Sequence, residues 1–294
     1  MGNWNDLADE IQSSGSTYDL IRRKYLAALN RITGRNVILY YSGWLQRPNA
    51  PGIAVDDGDK NGFMTVINKL DRSKGLDLIL HTPGGGTAAT ESLVDYLHSM
   101  FGDNIRAIVP QLAMSAGTMM ACACKEILMG KHSSLGPIDP QISGIPAHGI
   151  VEEFKRAVKE VKEDPATIPV WQPIIAKYTP ALIGESEKSI LWSQEMVKEW
   201  LREVMFKGDS EVTNKVNRIL TELGDHAITK SHARHFSYDK CKEIGLKVVA
   251  LEDDQKLQDA VLSVHHATMH TLSVGAVVKI IENHHGTAFI QTVS

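Results

Sequence analysis

The chain has 294 residues, 43% hydrophobic and 22% charged, which excludes wholesale disorder and allows one large domain or two ordinary ones. A balance of 31 Lys+Arg against 35 Asp+Glu, net charge −4, gives no electrostatic reason to expect a nucleic-acid or anionic-membrane surface. Cys122, Cys124 and Cys241 are an odd number at no framework spacing, and Cys122-Ala-Cys124 has no matching second pair; free thiols are expected, with no disulfide, zinc site or cofactor. In chain order, Leu20, Ile21, Tyr25, Leu26, Leu29 and Ile32 recur at helical spacing and predict an amphipathic helix from Tyr18 to Ile32. Val37-Ile38-Leu39-Tyr40-Tyr41 then reads as a strand buried on both faces. A loop rich in Pro and Gly from Gln46 to Gly62 leads to a helix through Phe63, Met64, Ile67 and Leu70. A strand at Leu76 to Leu80, a glycine turn, a helix from about Ala88 to Met100 and a strand at Ile105 to Val109 complete a βαβ rhythm, which implies parallel strands. Further on, helices are predicted at Val151 to Val161, Glu187 to Met205 and Tyr238 to Ile244, the last stopped by Gly245. A strand at Leu246 to Ala250, a short helix at Gln255 to Val264 and a hairpin at Ala276 to Val293 around His284-His285-Gly286 close the chain.

No basic flank with an apolar core follows Met1, and the longest nearly apolar stretch, Met114 to Cys124, is too short to cross a bilayer. The expectation is a cytoplasmic protein with no membrane span and no nucleic-acid partner.

Two strand-to-helix turns carry the chemistry. In His81-Thr-Pro-Gly84-Gly85-Gly86-Thr-Ala-Ala89, three glycines allow close backbone approach and let N–H groups face an anion at a helix N-terminus. That anion is a phosphate or the oxyanion of acyl transfer. Gly84-x-Gly86-x-x-Ala89 formally satisfies the dinucleotide fingerprint, but Val109-Pro110-Gln111 stands where a ribose-binding acid should follow, and no Lys-Ser/Thr follows for a Walker loop. One βαβ unit later, Pro110-Gln-Leu-Ala-Met-Ser115-Ala116-Gly117-Thr118 leads into a helix of small residues, so both turns should open on one edge of the sheet. Taken alone, Ser115 reads as a helix cap; paired with the glycine turn, it reads as a nucleophile beside oxyanion donors.

Pro83-Gly84-Gly85, Ala113-Met-Ser115-Ala116-Gly117 and Gly136-Pro137-Ile138-Asp139-Pro140-Gln141 together resemble the ClpP- and crotonase-fold serine peptidases. The branch called serine dehydrogenase proteinases is most similar, with the signal peptide peptidase A group as near relatives. The likeness covers about Asn36 to Ala250. It implies hydrolysis of peptides or proteins, with Ser115 as nucleophile and the N–H groups of Gly85 and Ala116 as oxyanion hole. In that branch the order Ser, Asp, His maps to Ser115, Asp139 and His232, with His235 in reserve. The alternative base is Lys177, by likeness to the Ser-Lys dyad of signal peptide peptidase A; the triad is preferred and the dyad stays open. His265, His266 and His270 include an i, i+4 pair, but lacking nearby ligands they read as solvated rather than metal-binding.

The expected fold is α/β, a ClpP/crotonase-like spiral of ββα units. It comprises an N-terminal helical arm (residues 1–35), one catalytic domain (36–264) and a C-terminal hairpin extension (265–294). A homo-oligomer acting on peptide or protein substrate is implied. A non-catalytic scaffold on the same fold and an acyl-CoA enzyme of crotonase type are the alternatives.

Overall fold

A computed structural model describes residues 4–14, 18–142, 144–225, 229 and 231–293; residues 1–3 and 15–17 of the expected arm and residue 294 of the expected extension lie outside the described residues. The strands are β1 (Asn36–Ser42), β2 (Leu76–His81), β3 (Ile105–Val109), β4 (Leu112–Ala113), β5 (Glu126–Met129), β6 (Ser134–Leu135), β7 (Gln141–Ile142), β8 (Ile145–Pro146), β9 (Phe236–Ser237), β10 (Val248–Ala250), β11 (Val277–Asn283) and β12 (Ala288–Thr292). The helices are α1 (Trp4–Ser14), α2 (Tyr18–Thr33), α3 (Asp59–Ile67), α4 (Thr87–Phe101), α5 (Ala116–Cys122), α6 (Ala147–Glu163), α7 (Ile168–Ile175), α8 (Leu182–Trp200), α9 (Val212–Gly224), α10 (Tyr238–Ile244) and α11 (Gln255–Val274). The main sheet runs β10-β5-β3-β2-β1-β11-β12. Its first five strands are parallel, and β11 and β12 add antiparallel.

The continuous apolar runs of β1 and β2 follow from their position, since both are buried at every residue. Alternation along them divides the core in two. Ile38, Tyr40, Leu78 and Leu80 face α3, α4 and α5, whereas Val37, Leu39, Tyr41 and Ile79 face α2 and α11. Helix ends follow local chemistry: Asp254 caps α11 by accepting from the N–H groups of Lys256 and Leu257, and Gly245, left-handed at φ 105, stops α10.

Three expectations change. First, α11 runs to Val274 and crosses the expected 264/265 boundary. Second, the terminal hairpin is part of the main sheet, because β11 pairs with β1 from Ile38↔Asn283 to Ser42↔Lys279. The charges of this strand are matched inside: Glu282 accepts from Arg22 Nε at 2.5 Å and from Arg23 Nε at 2.6 Å, and Lys279 meets Asp59. Third, His265 and His270 are buried, not solvated. Tyr41 Oη lies 3.0 Å from His265 Nδ1, and His270 stacks on Trp4 with ring centroids 3.7 Å apart. The N-terminal arm is likewise docked, with Leu26 and Leu29 of α2 fully buried against the sheet; each such burial contributes about 1.5–3 kcal/mol.

Candidate active site

The two turns expected to share a sheet edge follow the adjacent parallel strands β2 and β3. Beyond the strands the turns pair with each other: Thr82 N–H donates to the Leu112 carbonyl at 3.2 Å, and Met114 N–H donates to the Thr82 carbonyl at 2.9 Å. This closeness dictates glycine. A Cβ on Gly84, whose φ is +100, would stand 2.6 Å from Ser115 Cβ and 3.0 Å from Ala116 N, and one on Gly117 would stand 2.6 Å from Thr82 Cγ2.

Ser115 has φ 50 and ψ −113, a left-handed conformation for a residue bearing a side chain. Such strain costs about 1–3 kcal/mol and persists only where the surroundings enforce it. Although Ser115 occupies the N-cap position of α5, its side chain makes no capping hydrogen bond. It lines a cavity of about 380 Å³ instead, together with Gly84, Gly85, Gly86, Met119, Ile138 and His232.

A strap from Ile53 to Asp56 crosses the glycine turn. Val55 N–H donates to the Gly84 carbonyl at 2.8 Å, and Gly86 N–H donates to the Val55 carbonyl at 2.9 Å. In this parallel bridge the Gly85 N–H points away from Val55. Among the described residues, neither the Gly85 N–H nor the Ala116 N–H donates to a main-chain carbonyl of these loops. Ala116 stands at the first turn of α5, where helical N–H groups have no intrahelical acceptor.

A second, small sheet of order β4-β6-β9 gathers the remaining residues. β4 ends two residues before Ser115, β6 ends four before Asp139, and β9 begins four after His232. β6 pairs parallel to β4 and antiparallel to β9. Thr118 ties the layers by donating to the Ala113 carbonyl at 2.8 Å and accepting from Gly136 N–H at 2.9 Å. Asp139 is fully buried, its flanks pinned by Ile138 N–H to the Leu223 carbonyl and Ala147 N–H to the Pro140 carbonyl, each 2.9 Å. Its Oδ1 lies 2.8 Å from Nδ1 of the partly exposed His232.

Lys177 is exposed and lines a different cavity, with Ile142, Ile145 and Tyr178. His235 is exposed and does not line the Ser115 cavity. The strap and its Val55 bridge escape sequence reading because they act through main-chain groups. Met119 and Ile138 escape it because they look like ordinary core residues. Among the described residues, no group of three or more His, Cys, Asp or Glu is arranged to hold a metal ion, and no helix is long and apolar enough to cross a membrane.

The parallel sheet, its two strand-end turns and the helices on both faces define an α/β protein of ClpP-like class. Residues 43–257 match the family described as ClpP-like SDH-type serine proteinase, and the chain belongs to that family. It is 30% identical over 196 residues to the uncharacterized protein MJ1495 of Methanocaldococcus jannaschii, a match covering 67% of this chain and 59% of that one. It is also 30% identical over 190 residues to the uncharacterized protein MJ0137 of the same organism, covering 64% of this chain and 60% of that one. The chain thus matches about three-fifths of the length of these relatives.

Proposed function

We propose that this protein is a serine peptidase that cleaves peptides through an acyl-enzyme on Ser115. One observation carries the reading: a strained serine that makes no capping bond shares a cavity with a histidine whose Nδ1 is engaged by a buried carboxylate. Asp139 holds the His232 tautomer that carries its proton on Nδ1, which leaves Nε2 as the basic nitrogen. His232 takes the Ser115 hydroxyl proton as Oγ bonds to the scissile carbonyl carbon. The carbonyl oxygen becomes an oxyanion facing the Gly85 and Ala116 N–H groups. As the C–N bond breaks, the proton passes from His232 to the leaving amine, and an ester remains on Ser115. Water, deprotonated by His232, then attacks that ester; an acid product leaves and the proton returns to Ser115 Oγ.

A cavity of about 380 Å³ admits an extended peptide segment rather than a folded domain. The family match supports hydrolysis of peptide bonds over acyl-CoA chemistry. Assembly as a homo-oligomer is part of the same reading, supported by exposed Val158, Ile168 and Val170 on the α6–α7 face. So is a reducing, cytoplasmic setting, supported by three buried free cysteines. The test is turnover of a fluorogenic peptide library beside a panel of acyl-CoA thioesters. Peptide cleavage lost in Ser115→Ala is expected; thioester turnover that survives Ser115→Ala, with no peptide cleavage, would overturn the reading.

A further inference from the structure

β11 carries a lysine into the interior of the protein. Lys279 is fully buried, with Nζ 2.6 Å from Asp59 Oδ1, 2.7 Å from the Ala54 carbonyl oxygen and 3.7 Å from Asp56 Oδ2. Asp59, fully buried at the start of α3, accepts through Oδ2 from the Tyr40 hydroxyl at 2.7 Å and from Asp56 N–H at 3.1 Å. Ser42 Oγ donates to the Ile53 carbonyl at 2.7 Å. Five main-chain groups of the strap are therefore tied down: the carbonyls of Ile53 and Ala54, both groups of Val55, and the N–H of Asp56.

Apolar side chains of similar volume commonly hold an interior at least as well as a buried ion pair. What an ammonium adds is direction, because its N–H donors fix a carbonyl oxygen at a point. Here that carbonyl belongs to Ala54, next to Val55, and Val55 holds the glycine turn on both sides of Gly85. The fit has no slack, since a Cβ on Gly85 would lie 2.2 Å from Val55 N.

We propose that Lys279 is a positioning residue for the oxyanion loop: with Asp59 it fixes the Ile53–Asp56 strap, and the strap fixes Gly85 so that its N–H meets the developing oxyanion. The proposal rests on the peptidase reading above. The residues are joined only in space, with Lys279 and Asp59 220 positions apart.

Lys279→Met alone strands a buried carboxylate and is apt to unfold the chain, so the informative variant is Lys279→Met with Asp59→Asn. The amide oxygen of the new side chain can still accept from Tyr40 and Asp56, while Ala54 loses its donor. Two readouts are taken on the full chain: kcat and KM for a peptide substrate, and hydrogen exchange of the Val55 and Gly86 amides. The expected result is a kcat about 100-fold lower, as for loss of one oxyanion donor. KM stays within about threefold and the pH profile keeps its shape, because His232 and Asp139 are untouched. Exchange at Val55 and Gly86 rises at least about tenfold while β2 and β3 keep their protection. Parental exchange at these two amides overturns the proposal, as does acceleration shared by β2 and β3, the mark of general loosening. Parental kcat in a variant with a loosened strap overturns it too. If the parent cleaves no peptide, the peptidase reading fails, and exchange still decides whether Lys279 holds the strap.

Discussion

His232 and Asp139 stand 93 positions apart in the chain, and Nδ1 of one lies 2.8 Å from Oδ1 of the other. The three-stranded sheet β4-β6-β9 accounts for this, because its strands lead directly into or out of the Ser115, Asp139 and His232 segments. Asp139→Asn is expected to lower kcat by about 10³–10⁴-fold, since an amide no longer selects the tautomer. His232→Ala should cost at least as much. Residues acting as one unit are not additive, so the double variant should fall no lower than His232→Ala alone. Steady-state kinetics of the three variants check this, and additive losses would separate the two residues.

Gly85 and Gly86 are neighbours with opposite tolerance. A Cβ at Gly85 would stand 2.2 Å and 2.3 Å from the Val55 main-chain N and O, so Gly85→Ala must displace the strap. At Gly86, where φ is −64, the nearest atom would lie 3.7 Å away. Gly85→Ala should lose about 100-fold or more in kcat, whereas Gly86→Ala should stay within about threefold and about 1 kcal/mol of parental stability. Peptide kinetics with thermal denaturation of both variants would show the contrast.

The exposed Lys177 lines a different cavity from Ser115. Lys177→Met is therefore expected to leave kcat and its pH dependence within about twofold of parental values. A loss of about 100-fold or more, with the pH limb abolished, would return the lysine to the role of base.

His81 ends β2 just before the glycine turn, fully buried between Trp44 and Tyr41, and among the described residues neither ring nitrogen has a hydrogen-bond partner. Burial lowers its pKa from 6.5 to about 3, and burial likewise pushes His265 well below the ordinary imidazole range. The unfolded chain takes up these protons as pH falls through 6.5; the folded chain does not. The stability that these two groups contribute is thus complete above about pH 6.5 and declines from there as pH falls, with a slope of up to about 1.4 kcal/mol per pH unit for each group. His81→Phe, which fills the site without orphaned nitrogens, should remove one group's share of that slope between pH 6 and 4. Urea unfolding at several pH values measures it, and an unchanged slope would assign the acid sensitivity elsewhere.

Much of this was legible locally. The run at Val37 reads as a strand buried on both faces, the run at Leu76 as a strand, and the three glycines from Gly84 to Gly86 as a turn that allows close backbone approach, because each property is written in adjacent residues. Ser115 taken alone reads as a helix cap, and its positive φ is imposed by the fold. The β6–β9 pairing behind the Asp139–His232 contact involves two-residue strands, too short for any periodicity to show. The interior place of β11 is not legible in its own residues, since Asp59, Arg22 and Arg23, the partners of Lys279 and Glu282, lie more than 200 positions away. The histidines of α11 were hidden for the related reason that their neighbours are aromatic rings from β1 and α1.

The proposed activation of Ser115 by His232 is tested by reaction of the purified protein with a fluorophosphonate, followed by peptide mapping. One adduct is expected, on Ser115, absent in Ser115→Ala and formed at least about 100-fold more slowly in His232→Ala. No adduct on the folded parent, or an adduct that persists in Ser115→Ala, would contradict it.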